Sequence, residues 1–128
     1  MTAINHIGMF VRDIETSRQF FINYFGAKSG EMYHNPKKMF SSYMLILDGG
    51  AKLEIMTRPN LCEDENKTNR YGFAHISISV GSAENVDTIT RRLLNDGYRH
   101  FDGPRTTGDG FYESAILDGE GNIIEITV

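Results

Sequence analysis

A single cysteine, Cys62, stands in the 128 residues, so no disulfide can close within the chain, and the cytoplasm is the expected compartment. Basic charge is also short. Thirteen lysines and arginines stand against 17 acidic residues, a net charge of −4, which argues against nucleic acid as a partner because phosphates call for a basic footprint. No apolar run approaches the roughly 20 residues of a membrane span, so no membrane partner is expected. The opening "MTAINHIGMF" lacks the basic segment, apolar stretch and cleavage site of a signal peptide. What is present, 40% hydrophobic and 23% charged residues, is the composition of a soluble globular domain. The length suits one domain with a real core and is too short for two of full size.

Periodicity gives the elements. "INHIGMFV" reads as a strand, after which Asp13 caps the helix-like "IETSRQFFINYFGA", with Ile14, Phe21 and Phe25 in an apolar stripe that Gly26 ends. Residues 30–57 read as two or three strands with turns at "NP" and "DGG". The polar, aperiodic "RPNLCEDENKTNRYG" reads as a linker. "FAHISISV" is a second initial strand, and Ser82 caps a helix whose apolar face is Ala83, Val86, Ile89 and Leu93, with Gly97 as its stop. "YRHFDGPRTT", "GFYESAILD" and "NIIEITV" follow as strands separated by "DGP", "TGDG" and "DGEG".

The order β-α-β-β-β thus occurs twice. "HIGMFV" from His6 aligns with "HISISV" from His75 at an offset of 69, and each is followed by a capped helix. "LDGGAKLEIMT" from Leu47 aligns with "LDGEGNIIEITV" from Leu117 if the second copy carries one inserted residue, which brings Glu54 and Glu125 into register at an offset of 71. The expected organisation is one domain over residues 1–128, with module one at 1–58, a linker at 59–71 and module two at 72–128. The class is α+β.

Alternation along the strands sets His6 opposite Ile7, Met9 and Val11, and His75 opposite Ile76, Ile78 and Val80. Glu54 likewise opposes Leu53 and Ile55, and Glu125 opposes Ile124, Ile126 and Val128. The aliphatic faces are suited to cover the helices, while the other faces gather two histidines and two carboxylates. A lone glutamate on the polar face of a strand is ordinarily solvated. Two His and two Glu that repeat together are harder to explain so. If a pseudo-two-fold axis relates the modules, all four converge on one point. His34 and His100 lack such support and read as turn or surface residues, and Cys62 sits in the linker without a His or acid pattern around it.

This tandem pattern, with His6, Glu54, His75 and Glu125, resembles the vicinal oxygen chelate superfamily. That superfamily includes glyoxalase I, extradiol dioxygenases, methylmalonyl-CoA epimerase, and the fosfomycin and bleomycin resistance proteins. A glutamate at position 54 is most similar to glyoxalase I. The resemblance implies two βαβββ modules forming a curved mixed sheet around a divalent metal (Ni, Zn, Co, Mn or Fe) held by His6, Glu54, His75 and Glu125. It implies a lyase or isomerase acting on a thiohemiacetal or related vicinal-oxygen substrate through an enediolate, with Glu125 moving the proton and Glu54 as its partner. Two imidazoles and two carboxylates suit such a borderline ion. Family members of this length imply a homodimer, each site taking His6 and Glu54 from one chain and His75 and Glu125 from the other.

Two positions depart from glyoxalase I. Four residues after the first and second ligands, that enzyme usually has an arginine and an asparagine that contact glutathione; here they are Phe10 and Arg58. Substrate contacts are therefore expected at Arg58, Phe10 and Tyr112, with Lys37, Lys38 and Phe111 also near the mouth. The other readings are a metal-free ligand-sequestering protein of the bleomycin-resistance kind, or another superfamily enzyme: an epimerase, a dioxygenase or a thiol transferase.

Overall fold

The computed structural model describes residues 1–63 and 71–128. The chain divides into two compact units, Met1–Glu63 and Asp64–Val128. Among the described residues they hold two helices and nine strands in two mixed sheets, an α+β fold. The middle of the expected linker, residues 64–70, lies outside the described residues.

In the first unit β1 (Ile7–Phe10) leads to α1 (Ile14–Phe25), then β2 (Lys28–Ser29), β3 (Tyr33–Asn35), β4 (Phe40–Ile46) and β5 (Lys52–Thr57). The sheet order is β1-β5-β4-β2, with β3 also paired to β4. β1 runs parallel to β5, and the α1 crossover makes that pairing possible. The Asp13 side chain accepts the Thr16 N–H at 2.9 Å, and Gly26 closes the helix in the left-handed region at φ 65. The helix buries Ser17, Phe20 and Phe21; of the expected stripe Phe21 is buried, and Ile14 and Phe25 are half-buried. Phe21, Leu45 and Ile55 are fully buried, each contributing about 1.5–3 kcal/mol by leaving water. The Tyr43 hydroxyl donates to Glu15 of α1, so this face of β4 looks toward the helix.

The second unit repeats the plan with β6 (His75–Ser79), α2 (Ala83–Asn95), β7 (Arg99–Thr106), β8 (Tyr112–Leu117) and β9 (Ile123–Thr127), in sheet order β6-β9-β8-β7. Ser82 caps α2 by accepting the Asn85 N–H at 3.1 Å. Val86, Thr90 and Leu93 form its buried face. Ala83 is exposed and Ile89 half-buried, because Thr90 supplies the third contact: its hydroxyl meets Ser114 of β8 at 2.6 Å and Val86 O at 2.6 Å. Ile116, Ile124 and Ile126 complete this core.

Two expectations change. "DGP" does not separate strands: β7 runs through it as a bulge, with register shifts between His100 and Asp102 and between Asp102 and Arg105. The bulge is pinned from within, since one Asp102 oxygen accepts the Gly103 N–H and the other accepts Arg105 Nε, both at 2.8 Å. In the first unit the corresponding stretch breaks into β2 and β3.

The hairpin carries no insertion either. Gly50 N–H to Leu47 O and Leu47 N–H to Ala51 O in the first unit match Gly121 to Asp118 and Asp118 to Asn122 in the second, all at an offset of 71. Leu47 is thus the counterpart of Asp118, and the shared "LDG" is one residue out of register. The change of offset from 69 to 71 falls between Asp13–Gly26 and Ser82–Gly97, in α2 and its C-terminal cap. A helix end absorbs extra residues there, whereas one residue added inside a paired strand would turn every side chain to the other face.

Candidate functional site

His6 immediately precedes β1, and Glu54 sits in mid-β5 between the buried Leu53 and Ile55. The parallel pairing of Gly8 with Glu54 brings the two strands side by side. His6 Nε2 lies 3.3 Å from Glu54 Oε2, and its Nδ1 is 2.8 Å from Asn5 Oδ1. The second unit builds the same arrangement: His75 opens β6, Ser77 pairs with Glu125 of β9, and His75 Nε2 lies 3.2 Å from Glu125 Oε2. In both pairs the glutamate is the better shielded partner, at 23% and 22% exposure against 39% and 42% for the histidines. The structure therefore brings the four predicted residues together two by two, one His–Glu pair in each unit. Among the described residues no group of three or more metal-ligand side chains gathers within either unit.

A cavity of about 110 Å³ opens beside the second pair, lined by His75, Arg105, Glu113 and Glu125 among others. Glu113 escaped the sequence reading. Its signal was available, since in β8 it stands two residues from Ala115, the antiparallel partner of Glu125, and alternation places all three on one face. Burial raises the Glu113 pKa, the Glu125 charge and hydrogen bond raise it further, and Arg105 opposes the rise. Arg105 is itself held by Asp102, with Nη2 at 2.7 Å, and that hydrogen bond keeps the Asp102 carboxyl below the ordinary carboxylate range.

Tyr112 does not line this cavity. Its hydroxyl donates to Asp87 of α2 at 2.5 Å, which turns the side chain to the helix side of β8, opposite Glu113. Phe10 and Arg58 do meet, with the guanidinium carbon 4.9 Å from the Phe10 ring centroid. Arg58 also lines a second, wider cavity of about 810 Å³ in the first unit, with Tyr33, Asn35, Lys38, Phe40, Pro59 and Asn60. His34 belongs to β3, with Nδ1 2.8 Å from Ser41 Oγ; His100 Nε2 is 2.6 Å from Gly103 O at the bulge; Cys62 is exposed. No helix of the described residues is long and apolar enough to cross a membrane.

With this geometry in hand, the family model described as "Glyoxalase/Bleomycin resistance protein/Dioxygenase superfamily" matches residues 3–126, and the chain belongs to that superfamily. Among solved structures, it is similar to a glyoxylase/bleomycin resistance protein/dioxygenase domain from Frankia sp. EAN1pec. The identity is 20%, with 99% of this chain and 91% of that one covered and a TM-score of 0.83. A glyoxalase family protein from Bacillus cereus is 14% identical over 99% of this chain and 93% of that one, with a TM-score of 0.84. The fosfomycin resistance protein FosX from Listeria monocytogenes, solved with Mn(II) and sulfate ion, is 19% identical over 100% of this chain and 93% of that one, with a TM-score of 0.74. No curated protein sequence matches the chain.

Proposed function

We propose that this chain is a metal-dependent lyase or isomerase of the glyoxalase I kind, acting on a thiohemiacetal or related vicinal-oxygen substrate. The observation that carries the reading is the pair of equivalent His–Glu contacts, His6–Glu54 at 3.3 Å and His75–Glu125 at 3.2 Å. The donor set fits a divalent ion. With bonds of about 2.1 Å, neighbouring ligands at right angles stand about 3 Å apart, close to both separations. Imidazole and carboxylate suit Ni, Zn, Co, Mn or Fe, and a relative of the same fold, FosX, is described with Mn(II). His6, Glu54, His75 and Glu125 would hold the ion, and the bound ion would supply a Lewis acid that polarises a substrate carbonyl and acidifies the adjacent C–H.

The chain's own residues do the rest. Glu125 takes the proton from one carbon and returns it to the next, a task for which a carboxylate suffices once the C–H is acidified. Glu54 is its counterpart from the other unit. Because each unit holds one pair, a complete set needs both kinds, and we place His6 and Glu54 of one chain with His75 and Glu125 of a second in a homodimer.

Metal analysis of protein prepared without a histidine tag tests the reading. About one divalent ion per four-ligand set is expected, lost in His75→Ala. Full retention of metal in His6→Ala, Glu54→Ala and His75→Ala alike refutes it.

A further inference from the structure

The open face of the first sheet carries more than the His6–Glu54 pair. Register places Glu54, Met56 and Arg58 on one side of β5 and its extension, and Phe40, Ser42 and Met44 on the same side of β4. Tyr33 and Asn35 of β3, paired with Ser42 and Phe40, join that side. At the far end the 810 Å³ cavity gathers two cations, Lys38 and Arg58, against two aromatic rings, Tyr33 and Phe40. Tyr33 and Phe40 form a tilted pair, centroids 6.2 Å apart, and Tyr33 leaves 57% of its surface in water.

Both cations are set in place. The Asn35 side chain accepts the N–H of Lys37 and of Lys38 at 3.1 and 3.3 Å, which fixes the turn that presents Lys38. Arg58 lies over the Phe10 ring. Among the described residues no carboxylate pairs with either. The exposed Tyr33 ring and the half-buried Phe40 ring beside two such cations match a flat ligand with a negative charge.

The floor between the two ends is also shaped. A Cβ on Gly8 would come within 2.9 Å of the Met56 methyl, so the glycine leaves room for Met56 to lie down between the His6–Glu54 pair and the cationic end. Four residues of strand put the Cα atoms of Glu54 and Arg58 about 13 Å apart.

We infer that the substrate is a flat, unsaturated or aromatic molecule bearing an anionic group, a carboxylate, phosphonate or phosphate, at the end remote from its reacting oxygens. Lys38 and Arg58 hold the anion and Tyr33 and Phe40 stack on the flat segment. This rests on the proposed reading only for which end reacts.

The test uses phenylphosphonate, with inorganic phosphate and benzyl alcohol as its two halves, titrated into isotope-labelled, metal-free protein and followed by backbone amide shifts. Phenylphosphonate should move residues 33–40 and 58–60 and bind about tenfold more weakly to Arg58→Gln and to Lys38→Gln, the loss expected for one charge-assisted contact in water. Tyr33→Ala should weaken phenylphosphonate and leave phosphate unchanged. Binding by phosphate equal to that of phenylphosphonate removes the stacking half and overturns the inference, as do unchanged affinities in both cation variants or shifts centred elsewhere. Because metal and turnover are absent from this measurement, its failure leaves the metal reading standing, and failure of the metal analysis leaves this one standing.

Discussion

Replacing Gly103 by alanine should cost far more than replacing an exposed loop glycine of the second unit, because the β7 bulge brings two strands too close for a side chain. Gly103 has φ +70, and a Cβ there would stand 2.6 Å from Glu113 O, 3.1 Å from Arg105 N and 3.1 Å from Ser114 Cα. All three are backbone atoms, so no rotamer change relieves the contact. The left-handed backbone costs a residue with a Cβ about 1–2 kcal/mol, and overpacking adds about 1–3 kcal/mol. The combined loss, about 2–5 kcal/mol, is a large share of the 5–15 kcal/mol typical of a domain. Gly108, with nothing within 4 Å of a built Cβ and no left-handed φ, is the control. Its alanine variant should stay within about 0.5 kcal/mol of wild type. Urea denaturation followed by circular dichroism reads both. Equal midpoints for Gly103→Ala and Gly108→Ala would show that the bulge does not press β7 against β8, and the placement of Arg105 beside Glu113 would fall with it.

Mixing inactive His6→Ala with inactive His75→Ala protein should restore some activity as subunits exchange, since one hybrid site then has all four ligands; a monodisperse monomer that binds metal tightly would contradict the shared-site dimer. With Phe10 and Arg58 at the two glutathione positions, the methylglyoxal–glutathione adduct should turn over weakly or not at all in nickel-, cobalt- and zinc-loaded protein. Thioester formation near or above about 10⁴ M⁻¹s⁻¹, absent in Glu125→Gln, would make the chain an ordinary glyoxalase I. Asp118 is buried, which raises its pKa although Asn122 and Glu120 donate to it. Its folded pKa therefore lies above the unfolded one, and its contribution to stability, complete below the ordinary carboxylate value, is lost as pH rises through the folded pKa. Asp118→Asn should remove that decline, and parallel stability–pH curves for the two proteins would refute the assignment.

Much of this was legible because the relevant signals are local. Asp13 and Ser82 announce helix starts through side chains that reach only three residues ahead, and period-two alternation in "KLEIMT" and "NIIEITV" separates one glutamate from its buried neighbours without knowledge of any partner strand. The misses are long-range. Whether "DGP" ends a strand or bulges within it depends on β8, which supplies the pairing on both sides. Tyr112 reads as a substrate contact until Asp87, 25 residues away, takes its hydroxyl. Glu113 gains its meaning only from the β8–β9 register. The shared letters of "LDG" suggest one register and the hairpin hydrogen bonds, which reach across the turn, fix another.

That register also exposes an asymmetry between two halves that share a His–Glu pair. At an offset of 71, Ser42 corresponds to Glu113 and Met44 to Ala115. The neighbours of Glu54 on its face are thus a hydroxyl and a thioether, both neutral. Glu125 instead faces a second carboxylate, Glu113, with the Arg105 guanidinium beside it. Under the proposed function, a metal ion would meet one carboxylate in a neutral setting and one whose negative charge is opposed by a like charge and supported by a cation. Two carboxylates in unlike surroundings are suited to different tasks, one to stay on the ion and one to leave it and carry a proton. The repeat supplies the His–Glu pair in duplicate, and the residues at 42 and 113 break the equivalence that duplication would otherwise impose.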